Sequence, residues 1–223
     1  MHYLMSYLTA PIILVVTYLL ITLLSYFISQ PQIDYFTSDW QIIDILTLTG
    51  YGLALSTFFL FYKTPKTNKE KISYFSLFIL TLVALLRELG AQHWIPSKDT
   101  TAFKIKFFTS PYNPLSEKVI AGLILICVAT CFLTILCLYT KKLFVSFFQK
   151  NCFSWTIATL GASVVLSKII DRFPSNYRKH YGQALQENYR ALCSLYEESG
   201  EVLIPFFILL ALYQYHNLRK NIS

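Results

Sequence analysis

Six apolar stretches, each close to the length of a membrane-spanning helix, constrain this chain more than any other feature of its sequence. An α-helix needs roughly 20 apolar residues to cross the hydrocarbon core of a bilayer. The stretches lie at about residues 6–29, 42–62, 72–89, 119–140, 152–170 and 202–218. The sequence therefore predicts an all-α fold: a polytopic membrane helical bundle of about six transmembrane helices.

The composition agrees with a membrane protein rather than a soluble one. Charged residues make up 14% of the chain, whereas a soluble domain carries about 25%. No linker or internal repeat interrupts the sequence, so residues 1–223 are predicted to form a single integral membrane domain. The net charge of +7 comes from Lys and Arg between the apolar stretches, which favours contact with lipid headgroups. Membrane lipids and protein partners in a membrane complex are therefore expected, and nucleic acid is not.

The distribution of Lys and Arg predicts the orientation in the membrane. Four lysines lie in the short segment 63–71, three lie in 141–151, and Arg219 and Lys220 follow the last stretch. The segment 30–41 has none. Because short cytoplasmic segments carry the excess of Lys and Arg, both termini are predicted to be cytoplasmic.

Local patterns refine the fifth and sixth spans. The small residues 161–163 favour close helix packing in the fifth span, and Pro205 is expected in the first turn of the sixth, where proline costs least. Between these spans, residues 175–199 have the pattern of an amphipathic helix lying in the membrane interface. Its apolar and aromatic positions are Tyr177, Leu185, Tyr189, Leu192 and Tyr196.

Charged residues at the ends of the spans are the candidate functional groups, because ionisable side chains at a membrane boundary are costly. If six helices alternate in direction, these groups share one face of the membrane, which the predicted orientation makes the outer face. The groups are Asp44, Arg87, Glu88, His93, Lys168, Asp171, Arg172, Glu197, Glu198 and Glu201.

The residue types indicate three kinds of chemistry. Crowded carboxylates and a histidine suit acid–base catalysis, and the catalytic candidates are Glu88, His93, Asp171, Glu198 and Glu201. The set Glu198, Glu201 and His93 could hold a divalent metal. Arg87, Lys168 and Arg172 could bind an anion. The same groups also suit structural ion pairs and helix capping, and both interpretations stay open.

The function expected from these patterns is binding or processing of a lipid or amphiphile at a polar, acidic site on the outer face of the membrane. A structural or assembly subunit of a membrane complex is the alternative. A small transporter is disfavoured because no charge lies near the midplane of the spans.

The order of the charged motifs resembles that of a loosely defined set of uncharacterised bacterial multi-pass inner-membrane proteins. The resemblance covers most of the chain from residue 72 onward and implies a location in the inner (cytoplasmic) membrane, but it implies no activity. This chain departs from the outline at Gly90 and in the spacing of His93. The motifs are Leu86-Arg87-Glu88-Leu89 with His93, residues 104–108 and 114–118, Lys168-x-x-Asp171-Arg172, and Glu197-Glu198-x-x-Glu201.

Overall fold

Helices form all the regular structure in the part of the chain that the computed structural model describes, residues 6–36, 42–91, 94 and 104–220. Each of the six apolar stretches overlaps one of the longer helices, so the all-α prediction is confirmed. The helices in these residues are α1 (Thr9–Ser25), α2 (Gln30–Phe36), α3 (Ile42–Leu60), α4 (Asn68–Glu88), α5 (Ile105–Thr109), α6 (Leu115–Phe148), α7 (Cys152–Tyr181) and α8 (Glu187–Lys220).

Three helices, α3, α6 and α7, are long and apolar enough to cross a membrane. Helix α1 is also apolar but has only 17 residues. Helices α4 and α8 include charged residues in their first turns, among them Glu70 and Glu187. The apolar helices mark a membrane-embedded protein, and the number of six spans stays a prediction.

The chain divides into two compact units, and helix α8 is central to the first of them, Met1–Thr57 with Phe144–Ser223. Helix α8 packs most extensively against α7 and also contacts α1 and α2. One cluster of buried side chains joins Ile21 of α1 and Ile33 of α2 to Leu195 of α8. A second cluster joins Ala10 of α1 to Phe207 of α8.

The second unit, Phe58–Leu143, contains the end of α3 and helices α4, α5 and most of α6. The Tyr74 hydroxyl donates a hydrogen bond of 2.9 Å to the Phe58 carbonyl, and the two rings meet edge to face with centroids 4.9 Å apart. The Asn113 amide donates to the Phe107 carbonyl at 2.9 Å. That bond ties the turn before α6 to α5, where Phe107 packs on Ala121.

The connection between α7 and α8 corrects the predicted interfacial helix. Helix α7 passes through Pro174 and ends at Tyr181, where Gly182 adopts a left-handed backbone conformation with φ of 70°. Glycine adopts this conformation without the steric cost of a Cβ and so terminates the helix. Residues 175–199 are thus the end of α7 and the start of α8, and the prediction of one separate helix over them is wrong.

Pro205 occupies an unexpected position as well. Because α8 begins at Glu187, Pro205 lies in the helix interior and not in its first turn. Its missing N–H leaves the preceding turn without one backbone hydrogen bond. A Cβ added at Gly50 would lie 2.9 Å from the Pro205 Cγ, so the glycine permits the close approach of α3 to α8 at this point.

Candidate functional site

The interface between α7 and α8 is built largely from small polar side chains. The Thr156 hydroxyl donates to the Gln214 Oε1 at 2.8 Å, and the Ser163 hydroxyl donates to the Gly200 carbonyl at 3.2 Å. Small residues let two helices approach closely, and hydroxyl groups bond across the interface in an apolar environment. The buried residues of α7 are Cys152, Ser154, Thr156, Thr159, Ser163 and Ser167.

The predicted small-residue face of the fifth span is only partly correct. Ser163 is fully buried, but Gly161 and Ala162 are exposed, and a Cβ added at Gly161 would meet no atom within 4 Å. Ser163 and Ser167 instead share one face, four residues apart, because side chains at this spacing project from the same side of a helix.

Next to Ser167, the Lys168 ammonium lies among three carboxylates. Its Nζ is 3.1 Å from the Glu201 Oε1, 3.7 Å from the Glu197 Oε1 and 3.6 Å from the Asp171 Oδ2. Glu197 and Glu201 come from α8 and are one helical turn apart, so both reach the same side of α7. We call Lys168, Asp171, Glu197 and Glu201 the Lys168 cluster.

Burial differs sharply across the Lys168 cluster. The side chain of Glu201 is 10% exposed, that of Glu197 is 22% exposed, and that of Lys168 is 43% exposed. A buried carboxylate is costly unless it is paired and hydrogen-bonded. Lys168 therefore compensates part of the Glu201 charge, and the pair links α7 to α8 at this level.

The carboxyl of Glu197 has a shifted pKa. Burial raises the pKa of its carboxyl above the ordinary value of 4.5, and the nearby charges of Asp171 and Glu201 raise it further. Lys168 opposes these effects and lowers the pKa. Burial and like charges outweigh one ammonium shared among three carboxylates, so Glu197 holds its proton more tightly than a solvated glutamate.

Asp171 and Arg172 form the accessible edge of the site. The Arg172 side chain is 77% exposed and that of Asp171 is 39% exposed, and the Arg172 Nε lies 3.9 Å from the Asp171 Oδ2. An exposed pair at this distance contributes little to stability, about 0–1 kcal/mol. Both groups are therefore positioned to contact something outside the chain.

A shallow, open depression of about 380 Å³ lies along the exposed side of α7 beside this edge, and every residue that lines it belongs to α7. One end is apolar and is formed by Val164, Val165 and Ile169. The other end is polar and is formed by Lys168, Arg172 and Asn176. We call this the α7 groove. It is an exposed surface of one helix, with apolar side chains at one end and charged or polar side chains at the other.

The structure brings together four of the predicted site residues: Lys168, Asp171, Arg172 and Glu201. Glu198 is half-buried on α8. It lies one position beyond Glu197 and so projects about 100° away around the helix. The glutamate that joins Glu201 at the Lys168 ammonium is Glu197.

Two of the remaining predicted residues belong to the second unit. Arg87 and Glu88 end α4 in the second unit, where Arg87 is exposed and Glu88 is half-buried. His93 falls outside the described residues. Among those that the structure describes, no group of three or more His, Cys, Asp or Glu has the arrangement of a metal site. The metal set of Glu198, Glu201 and His93 stays a prediction.

Sequence reasoning placed Glu197 among the charged groups of the site, but the final catalytic, metal-binding and anion-binding sets did not include it. The available signal was its four-residue spacing from Glu201, which puts both carboxylates on one helical face. Asn176 was missed altogether. It lies four residues after Arg172 on the exposed side of α7 and extends the polar end of the α7 groove.

Comparison of the chain with protein-family models, with curated proteins and with solved structures found no match in any of the three. The helices and their packing therefore define the class on their own: an all-α, membrane-embedded protein.

Proposed function

We propose that this chain is a six-span protein of the bacterial inner membrane that binds or processes a lipid or related amphiphile at the outer face of the membrane. The single observation that carries the proposal is the α7 groove. Its apolar end lies on a helix long and apolar enough to cross a membrane, and its polar end is next to the Lys168 cluster.

The dimensions of the α7 groove suit a lipid. Val164 and Asn176 are twelve residues apart, which corresponds to about 18 Å along a helix. The exposed apolar side chains would contact the upper part of an acyl chain, since Val165 and Ile169 are 57% and 58% exposed. Lys168, Arg172 and Asn176 would then lie at the level of the headgroup.

The opposite end of the first unit supports the proposed orientation. There the Phe147 and Trp155 rings stack with centroids 4.4 Å apart, and the Lys150 ammonium lies 5.7 Å from the centroid of Tyr7. Aromatic rings are typical of both boundaries of a span, whereas an excess of Lys and Arg in a short connection, such as Lys141, Lys142 and Lys150 between the fourth and fifth apolar stretches, is typical of the cytoplasmic one. Cytoplasmic termini would put the Lys168 cluster on the outer side.

Native mass spectrometry of the protein purified in mild detergent tests the proposal. Val165→Trp fills the apolar end of the α7 groove, and Val145→Trp on α6 is the matched control, since both valines are about equally exposed at 57% and 49%. We expect phospholipid bound to the wild type and to the control and largely lost from Val165→Trp. Equal lipid retention in both variants would contradict the proposal.

A structural or assembly subunit is the second candidate, and helix α6 favours it. In the most apolar window of this 34-residue helix only 6% of the residues are buried. A long apolar helix with so little of its surface covered by its own chain offers a face on which a neighbouring membrane helix can pack. A native mass that includes a second polypeptide at fixed stoichiometry would support the assembly role, and a bare monomer with bound lipid would oppose it.

A further inference from the structure

The charges at the polar end of the α7 groove restrict the headgroup that it can accept. Lys168 and Arg172 line this end. The carboxylates of Asp171, Glu197 and Glu201 lie beside it within 4 Å of one of these two cations, so the formal charge of the five groups is −1 with all of them ionised. The Lys168 ammonium is already shared among the three carboxylates. A purely anionic headgroup would gain little at Lys168 and would meet repulsion from the carboxylates.

Arg172 is the cation available to a ligand. Its side chain is 77% exposed, and its contact with Asp171 is made at 3.9 Å through Nε, longer than a hydrogen bond. The planar guanidinium carries five donors and matches the geometry of a phosphate group. Arg172 therefore suits the phosphate of a phospholipid whose acyl chains lie toward Val165 and Ile169.

Asp171 is the corresponding anion. Its Oδ2 lies 3.6 Å from the Lys168 Nζ and 3.9 Å from the Arg172 Nε, and the side chain is 39% exposed. Both distances exceed about 3.2 Å, the upper limit of a good N–H···O hydrogen bond. The carboxylate therefore keeps the capacity to accept a charge-assisted hydrogen bond from a ligand ammonium.

We infer that the α7 groove selects a zwitterionic phospholipid headgroup, with the phosphate at Arg172 and an ammonium at Asp171. The inference rests on the proposed lipid-binding function and adds the class of lipid. Adjacent exposed groups of opposite sign match a headgroup that carries both signs, and the net negative charge of the site disfavours a headgroup that carries only the phosphate.

The test uses the full chain in a neutral detergent, titrated with three soluble short-chain lipids. They are a phosphatidylethanolamine, a phosphatidylglycerol and an uncharged diacylglycerol with the same acyl chains. We expect phosphatidylethanolamine to bind about fivefold more tightly than phosphatidylglycerol, the factor that corresponds to one exposed ionic contact. Asp171→Asn should abolish this preference, and Arg172→Gln should weaken both phospholipids without affecting diacylglycerol.

Matched controls are available on the same two helices. Glu187→Gln and Arg178→Gln remove exposed charges at the start of α8 and the end of α7, and neither should change the selectivity. Asp171→Glu should keep the preference for phosphatidylethanolamine, which separates a role in recognition from a role in folding.

The outcomes separate this inference from the proposed function. Saturable binding with phosphatidylglycerol preferred, or a preference for phosphatidylethanolamine that survives Asp171→Asn, overturns the zwitterionic assignment and leaves lipid binding intact. No saturable binding of any of the three lipids overturns both.

Discussion

Replacing Lys168 by Met should destabilise the protein chiefly through the carboxylate left behind on α8. Methionine keeps an unbranched apolar stem of similar length and removes the ammonium. The Glu201 side chain is only 10% exposed and loses a partner at 3.1 Å, while Glu197 and Asp171 lose partners at 3.7 and 3.6 Å. The three carboxylates then lose the ammonium that they share, while Asp171 keeps its contact with Arg172 at 3.9 Å.

The magnitude follows from how buried the partners are. Removing one member of a fully buried ion pair costs about 3–5 kcal/mol, whereas exposed pairs are worth about 0.2–1 kcal/mol. Lys168 is 43% exposed, so solvent screens part of the effect even though Glu201 is nearly buried. We expect a loss of about 2 kcal/mol in the free energy of unfolding, midway between these ranges.

The assay is a double-mutant cycle in detergent, with thermal unfolding followed by intrinsic fluorescence. For a chain of this length, 2 kcal/mol corresponds to a melting temperature lowered by roughly 4–8 °C. Glu201→Gln in the Lys168→Met background removes the carboxylate charge that lay closest to the lost ammonium and should recover about 1 kcal/mol. Lys179→Met, an exposed lysine near the end of α7, should change the stability by less than about 0.5 kcal/mol.

Two results would refute this reasoning. The first is a double variant as unstable as Lys168→Met alone, because the cost would then not come from the Glu201 carboxylate. The second is a Lys168→Met variant no less stable than the Lys179→Met control. Either would mean that α7 and α8 are held together by their hydroxyl contacts and apolar packing without help from the Lys168 cluster.

Three further predictions concern other positions in the first unit. Because the folded-state pKa of Glu197 is raised above 4.5, the folded state binds the proton more tightly, and stability should fall as the pH rises from about 4.5 through the raised pKa. In Glu197→Gln the melting temperature should not change with pH over this range, and an unchanged slope would exclude Glu197 as its source. A Cβ at Gly200 would lie 2.7 Å from the buried Tyr18 hydroxyl, so Gly200→Ala should lower the stability measured by thermal unfolding by about 1–2 kcal/mol. In a Tyr18→Phe background the same substitution should be neutral or stabilising, and an equal cost in both backgrounds would rule out the clash. Lys150 has φ of 57° in the turn before α7, a conformation that glycine adopts at lower cost, so Lys150→Gly should raise the stability by about 1 kcal/mol. A lower melting temperature would show that the contact of the Lys150 ammonium with the Tyr7 ring outweighs the backbone strain.

The positions of the helices could be predicted from the sequence, and their full lengths could not. The apolar stretches located every long helix because lipid selects for continuous apolar runs. The predicted fifth span ended at residue 170, yet α7 continues through Pro174 to Tyr181. A proline within a helix removes one hydrogen bond and does not always end it. The left-handed conformation of Gly182 provides the actual stop.

Which side of each helix faces the interior was harder to predict, for a reason specific to membranes. Lipid tails are as apolar as leucine, so hydrophobicity does not distinguish a buried face from a lipid-facing one. On α7 the buried face is instead marked by Thr156, Thr159, Ser163 and Ser167, which recur at intervals of three and four residues. That pattern is present in the sequence, but the predicted packing face rests on the neighbouring small residues 161–163.

The composition of the site follows from the same face. Lys168 comes one residue after Ser167, so its long side chain starts at the border of the α7–α8 interface and can reach both the interface and the α7 groove. The glutamates that it meets must project from α8 toward that border. Once α7 and α8 are in register through the contact of Ser163 with Gly200, Glu197 and Glu201 meet this condition, and Glu198, about 100° around the helix, does not. The sequence contains all three glutamates, but only the pairing of the two helices selects between them.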